Sequence, residues 1–413
     1  MSKKYAAAVV VIGTELTLGR SSESNSEYLG RWLGLMGYPI RIVLKLPDDA
    51  RLVTDELKYL LRSVDLVLIT GGLGSTHDDI TREALADLLA KPLLLNSTLE
   101  SGLRPMTPEG ADYESFIKQA YLPQGAGFIK AASGTAAGII AEYHGKVIYA
   151  LPGVPREMKA MLEAVAQDLT GRFGRQPGLI SKCLNIIGVS EPVVASLIDP
   201  VIGKHEQLTV NILAKPEEIK LTVIGEEGQE AMIDQAVIEF RDKLGSDVYG
   251  VDGDTISSVI GRSLVERRLT IGVAESLTAG LIASRIAETA GSSRYLRGGI
   301  VAYDNAVKES LLKVSPETIA VRGAVSREVA AEMAEGVKSA LGADMGLSVT
   351  GIAGPTGGSA DKPVGMVFVG LAHQGETEVW ELALKGDRLS IQSKTASMAL
   401  NALRLFLLKE PAG

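Results

Sequence analysis

An α/β fold in three parts is predicted by two repeats of one pattern and the interruption between them. Short β-branched runs alternate with amphipathic stretches from residue 5 to about residue 172, and again from about residue 251 onward. Residues 173–250 have a different texture, with strand-like alternation and no cluster of chemistry-bearing side chains. The 413 residues, 46% of them apolar, suffice for two or three separate cores at about 100–200 residues each.

In the first part (1–172), strands are expected over residues 7–12, 40–46 and 66–70, each followed by a helix, over 25–36, 49–63 and 79–90. Short connections and right-handed crossovers turn such a series into a mostly parallel sheet covered on both faces. A further strand over 146–151 leads into a helix opening at Pro155, which suits the first helical position because its missing N–H has no helical partner there. The middle part (173–250) reads as a small α+β module, with strands over 181–188, 208–213 and 219–224, a helix over 229–244 and a closing turn cluster at 249–254. The last part (251–413) returns to α/β. Helices are expected over 255–266, 278–289, 306–312, 326–341 and 389–408. Strands are expected over 269–274, 299–303 and 346–350, with a hairpin from 365–372 and 378–384.

Composition narrows the function. A net charge of −8 disfavours direct nucleic-acid binding, because phosphate neutralisation needs a basic face. Cys183 is the only cysteine and His77, His144, His205 and His373 are scattered, so no disulfide framework or Cys/His zinc site can form. The opening Met1-Ser2-Lys3-Lys4 imitates the head of a secretion signal, but the apolar run after it is short and reads as a buried first strand. No run reaches the roughly 18 apolar residues of a membrane span. A soluble, cytoplasmic protein acting on a small ligand is expected.

In the last part, the strand over 269–274 ends at Glu275-Ser276-Leu277-Thr278-Ala279-Gly280. Ser276 therefore stands at a strand-to-helix turn, where open α/β sheets bind ligands and a helix N-terminus welcomes an oxyanion or a phosphate. Ser276 or Thr278 could equally be a plain helix cap. The next strand runs into Tyr303-Asp304-Asn305-Ala306-Val307-Lys308, placing Lys308 in or near a first helical turn, where the dipole and partial burial lower a lysine's pKa. With no histidine near these motifs, a Ser–Lys pair is the available way to activate the serine, and Tyr303 could orient the proton. The bland alternative makes Lys308 a solvated surface residue. A third strand leaves through Val349-Thr350-Gly351-Ile352-Ala353-Gly354-Pro355, whose glycines let backbone N–H groups approach a phosphate or form a mobile turn. Arg388, in Gly386-Asp387-Arg388, is a candidate phosphate clamp.

In the first part, the strand over 66–70 runs into Gly71-Gly72-Leu73-Gly74-Ser75-Thr76-His77-Asp78-Asp79 at the head of a helix. Glycines and hydroxyls suit phosphate, whereas two carboxylates repel it, and a divalent cation such as Mg²⁺ or Mn²⁺ resolves that conflict. Capping of the helix by Asp78 and Asp79 is the alternative.

The four C-terminal motifs, in this order, resemble the C-terminal domain of the competence/damage-inducible CinA family. The resemblance implies a nicotinamide mononucleotide amidohydrolase of α/β/α fold, needing no cofactor, with Ser276 as nucleophile, Lys308 as base and Tyr303 in the site. It places Glu275, Thr278, Thr350, Gly351, Gly354 and Arg388 around the substrate. Gly13-Thr14-Glu15, Asn25, Ser133-Gly134-Thr135-Ala136-Ala137-Gly138 and Leu151-Pro152-Gly153-Val154-Pro155-Arg156-Glu157 join the 71–79 loop in resembling the same family's N-terminal domain, a molybdopterin-binding-like α/β/α sandwich. That resemblance implies an ADP-ribose pyrophosphatase using Mg, Mn or Co. Its phosphate site would comprise Gly71, Gly72, Gly74, Ser75, Thr76, Glu15, Asn25, Gly153 and Glu157, with Asp78 and Asp79 as metal ligands. A non-catalytic pterin- or nucleotide-binding module is the alternative for this domain. Ser75 and Ala137 stand where the family usually has proline, and Ala279 where it has glycine. A homodimer is also implied.

Overall fold

A computed structural model of the chain describes residues 5–110, 112–131 and 133–409, so the Met1–Lys4 head lies outside the described residues. They divide into two compact units. One runs to Ile180 and includes Glu226–Gly228; the other takes Ser181–Gly225 and everything from Gln229 onward. The middle module thus has its own sheet but shares a unit with the C-terminal region.

The first unit contains β1 (Ala7–Ile12), β2 (Ile40–Leu46), β3 (Leu66–Thr70), β4 (Leu93–Leu95), β5 (Tyr121–Pro123), β6 (Gly127–Ile129), β7 (Gly138–Tyr143) and β8 (Lys146–Leu151). Six form one sheet in the order β2-β1-β3-β8-β7-β6, while β4 and β5 pair separately. The first four strands are parallel, as expected, and β7 and β6 add an antiparallel edge. The sequence reading missed that edge. Its hairpin turn at His144-Gly145 puts two successive residues at positive φ (48° and 77°), the backbone of a tight two-residue turn, but with histidine in place of the usual asparagine or aspartate. Every residue of β1 is buried, and alternate residues pack on opposite faces. Ala8, Val10 and Ile12 join the core under Val53 and Leu57, while Ala7, Val9 and Val11 join the core under Leu29 and Met158. A strand buried on both faces needs helices on both sides, which is why its sequence reads as a continuous apolar run.

In the second unit, β9 (Leu179–Ile186), β10 (Thr209–Ala214), β11 (Ile219–Glu226) and β12 (Val248–Val251) form the middle sheet, in the order β10-β11-β9-β12. Two helices belong to this module, Glu191–Ile202 and Glu230–Leu244. The first was not foreseen, because Pro192 and Pro200 mask its pattern. Pro192 lies in the first turn, where it is tolerated, and Pro200 falls near the end. The C-terminal sheet comprises β13 (Ile271–Glu275), β14 (Leu296–Val301), β15 (Met345–Gly351), β16 (Met366–His373) and β17 (Glu376–Ala383), ordered β14-β13-β15-β16-β17. The first three are parallel, and β16 and β17 form the expected hairpin. Among the described residues no helix is long and apolar enough to cross a membrane.

Candidate functional site

In the C-terminal sheet β13 lies between β14 and β15, so the crossover from β13 to β14 and the one from β14 to β15 run in opposite directions across the sheet. That is a topological switch point, where the strand ends splay and a crevice opens. The three chemical motifs leave these three strands. Ser276, half-buried, donates its N–H to Val349 O at 3.1 Å, and Ala302 donates its N–H to Glu275 O at 2.8 Å, which locks the ends of β13, β14 and β15 together.

After Ser276 the chain makes a left-handed detour, with Ala279 at φ 52° and Gly280 at φ 100°. The helix therefore starts at Leu281 and not at Thr278 as the periodicity predicted. The expected anion site at its N-terminus is also corrected. Glu275, 1% exposed, turns its carboxylate back and accepts from Gly280 N (3.0 Å), Ile282 N (3.1 Å) and Ala283 N (2.8 Å). Those donors would otherwise have faced a ligand. Glu275 thus shapes the turn from inside. Thr278 is likewise interior, its hydroxyl buried without a hydrogen-bond partner.

Lys308 lies in the Asn305–Leu312 helix, capped by Asp304, and is 1% exposed. The solvated-surface alternative is therefore excluded. Its ammonium nitrogen donates to Ala302 O at 2.8 Å and Tyr303 O at 3.1 Å, at the end of β14 and one strand from Ser276. Burial pushes its pKa below the ordinary lysine value, against the opposing charge of Asp304. A neutral amine with two hydrogens committed to carbonyls keeps one lone pair for a third partner, the electronic requirement of a base.

Arg388 opens the last helix, Arg388–Lys409, and joins the remaining motifs: it donates to Tyr303 Oη at 2.5 Å and to Gly354 O at 2.7 Å. Tyr303 is exposed. Thr350 is buried at the end of β15 and donates its hydroxyl to Ala324 O at 2.8 Å, while Gly351, the last residue of β15, lies against the β16 backbone. One turn along from Arg388, Gln392 donates to Leu277 O at 2.6 Å and holds the Ser276 turn from the helix side. The sequence reading missed Gln392, although its i+4 spacing from Arg388 was the available signal.

In the first unit, Gly13, Glu15, Asn25, Gly71, Gly72, Gly74, Thr76, Asp78, Asp79, Gly153 and Glu157 all line one open cleft of about 570 Å³ at the C-terminal ends of β1, β3 and β8. Ser75 lies outside this lining. Gly71 has φ 105°, and a Cβ there would fall 2.3 Å from Ile12 O, so only glycine permits this approach. Asn25, 4% exposed, donates to Thr70 Oγ1 (2.9 Å) and Gly153 O (2.7 Å) and ties two strand ends together. Asp79 accepts from Gly74 N (2.7 Å), Thr76 N (2.8 Å) and the Thr76 hydroxyl (2.6 Å). It latches the glycine loop. Arg82, unnoticed in the sequence and 1% exposed, donates to Leu73 O at 2.8 Å and Gly74 O at 2.5 Å from below.

The expected metal ligands do not form a preassembled site. Among the described residues no three His, Cys, Asp or Glu side chains are grouped to hold an ion, and both oxygens of Asp79 are engaged by the loop. The lining nevertheless carries six carboxylates, from Glu15, Glu23, Asp48, Asp78, Asp79 and Glu157, and no lysine or arginine. A polyphosphate can enter such a cleft only with its own cation.

Comparison with known proteins is decisive for the family. Residues 228–407 match the family model described as CinA C-terminal domain, residues 181–250 the Damage-inducible protein CinA KH domain, and residues 8–171 the "Probable molybdopterin binding domain". A CinA-like protein of Kosmotoga olearia is 37% identical over 408 residues, covering 97% of this chain and 99% of its own. A second, from Dictyoglomus turgidum, is 38% identical over 407 residues, covering 97% and 98%. The chain belongs to the CinA family. Among solved structures, the CinA protein of unknown function from Thermoplasma acidophilum is 31% identical, covers 40% of this chain and 98% of its own, and has a TM-score of 0.38. In this CinA chain the four C-terminal motifs that suggested the family are linked by hydrogen bonds around the neighbouring ends of β13, β14 and β15, and the N-terminal motifs line one cleft.

Proposed function

We propose that the Ser276 crevice is an amidase site that converts nicotinamide mononucleotide to nicotinic acid mononucleotide and ammonia. The observation that carries this reading is Lys308: a fully buried lysine, its pKa lowered by burial, whose side-chain nitrogen is held at the end of β14, the strand paired with the one that runs into half-buried Ser276. Neutral Lys308 takes the Ser276 hydroxyl proton as Oγ attacks the carboxamide carbon. The tetrahedral intermediate collapses as the lysine returns the proton to the leaving nitrogen, and ammonia departs. Water then cleaves the acyl ester, giving the carboxylate and restoring the serine. With the N–H groups of Gly280, Ile282 and Ala283 taken by Glu275, the oxyanion must be met by other donors of the crevice. Arg388, held by Tyr303 and Gly354, is the cation this reading assigns to the substrate phosphate. Wild-type protein incubated with the mononucleotide is expected to release ammonia and the acid product in equal amounts. Release that persists undiminished in Ser276→Ala contradicts the proposal.

A second reading concerns the N-terminal cleft. Its six carboxylates without a basic residue support binding of a nucleotide diphosphate such as ADP-ribose together with a divalent cation, Glu15 and Asp78 being the exposed carboxylates available to that cation. Bound there, the cation would neutralise the diphosphate. The committed Asp79 carboxylate favours binding over the pyrophosphatase chemistry that the resemblance implies. Calorimetry with ADP-ribose, with and without Mg²⁺, tests this: binding that is indifferent to the cation contradicts it. The same mixture assayed for AMP tests the cleavage.

A further inference from the structure

The hairpin turn Lys215-Pro216-Glu217-Glu218, between β10 and β11 of the middle module, reaches two helices of the C-terminal region. Glu217 Oε2 accepts from the Ser397 hydroxyl at 2.5 Å and pairs with Arg285 Nη1 at 2.9 Å, and Oε1 accepts from the Ser393 hydroxyl. Arg285 in turn donates to Ser397 Oγ and Ser393 Oγ, each at 2.6 Å. Each serine thus gives its proton to the carboxylate and takes one from the guanidinium. The four groups close a cycle in which removing any one leaves a half-buried donor or acceptor unmatched. Burial raises the Glu217 pKa, but the two hydroxyls and Arg285 outweigh it and hold the carboxyl below its ordinary value, so the cycle is charged at neutral pH.

Both helices hold the Ser276 turn. Arg285 lies on Leu281–Ala287, the helix that follows the turn and is capped by Glu275. Ser393 and Ser397 lie on Arg388–Lys409, Ser393 next to Gln392, which grips Leu277 O one turn along from Arg388, which grips Tyr303. We propose that Glu217, in the middle module, is a positioning residue for the Ser276 site, clasping together the two helices that hold the nucleophile turn and the Arg388 end of the crevice. It touches no reacting atom. The proposal rests on Ser276 being the reaction centre, yet the clasp itself can be read without substrate.

Amide hydrogen exchange on the full-length chain is therefore measured beside turnover of nicotinamide mononucleotide, for wild type, Glu217→Ala, Glu217→Gln and Tyr249→Phe. Glu217→Ala is expected to speed exchange over residues 276–287 and 386–393 about tenfold, leaving β13 and β15 unchanged. Its kcat is expected to fall about tenfold with KM within about threefold of wild type, the pattern of a misplaced nucleophile. Glu217→Gln, which keeps an acceptor but loses the charge, falls between. Tyr249→Phe cuts the neighbouring hydrogen bond to Glu218 in the same turn and is expected to match wild type. Wild-type exchange in Glu217→Ala overturns the proposal, as does faster exchange with unaltered kcat, or an equal effect from Tyr249→Phe. A wild-type chain that releases no ammonia, yet shows the exchange difference, contradicts the amidase reading and supports the clasp.

Discussion

Two turns in this chain are built alike and end differently. Each follows a buried parallel strand, each carries two successive residues at positive φ, Ala279-Gly280 and Gly71-Gly72, and each is latched by an acid that accepts backbone N–H groups: Glu275 in the C-terminal region and Asp79 in the N-terminal unit. Glu275 draws the donors of the following helix inward, and at the end of the neighbouring strand two carbonyls absorb the hydrogens of the buried Lys308 amine. Asp79 draws its own loop closed and leaves a cleft lined with carboxylates and without a base of comparable burial. An acid-latched turn is thus a scaffold. Which polar side chains remain uncommitted beside it separates the two functions proposed for these turns, reaction centre and binding cleft.

The contrast breaks most readily at Lys308. Replacing it with alanine is expected to lower kcat for ammonia release by about a thousandfold or more, since an unassisted serine is a poor nucleophile. The pH profile sharpens the same point. The base works only when unprotonated, so wild-type rates should rise about tenfold per pH unit and level off above the lysine's pKa. Because burial lowers that pKa, levelling should come below the ordinary lysine range. A rate that keeps rising tenfold per unit through the ordinary lysine range, or the same profile in Lys308→Ala, would assign the base elsewhere. Next in size is Asp79→Ala, expected to weaken ADP-ribose binding about 10- to 100-fold by releasing the loop, with ammonia release unchanged. Titration calorimetry and the ammonia assay on one preparation separate these outcomes. Glu275→Gln loses charge-assisted bonds to three N–H groups and is expected to cost about 1.5–3 kcal/mol in denaturant unfolding. The smallest effect belongs to Ala279→Gly. A non-glycine residue at φ 52° is strained, so glycine there should raise stability by about 0.5–1 kcal/mol, countered in part by its looser unfolded chain.

What could be read from the sequence follows the reach of each signal. Buried parallel strands are continuous apolar runs, so β1, β3 and β8 were legible to the residue, as was the edge strand β2, where exposed Arg41, Val43 and Lys45 alternate with more buried apolar residues. The motifs around Ser276, Lys308 and Arg388 were legible because each lies where a strand ends or a helix begins. Long-range partnership was not. Nothing local to Glu275 or Asp79 says that its carboxylate folds back on its own turn, and each was read as facing a ligand or a metal. Arg82 and Arg285 resemble surface arginines in any helical pattern, and only the packed structure brings one under the glycine loop and the other to Glu217. The middle module's docking depends on Glu217 and Ser393, far apart in sequence, and left no trace in periodicity.

The most direct test of the account is to quench wild-type protein during its first turnover of nicotinamide mononucleotide and weigh its peptides. The account predicts that ammonia release is matched by an ester on the peptide containing Ser276, heavier by the mononucleotide less ammonia. It also predicts that Ser276→Ala shows neither. A full turnover of ammonia with Ser276 unmodified, or the added mass on another residue, would contradict it.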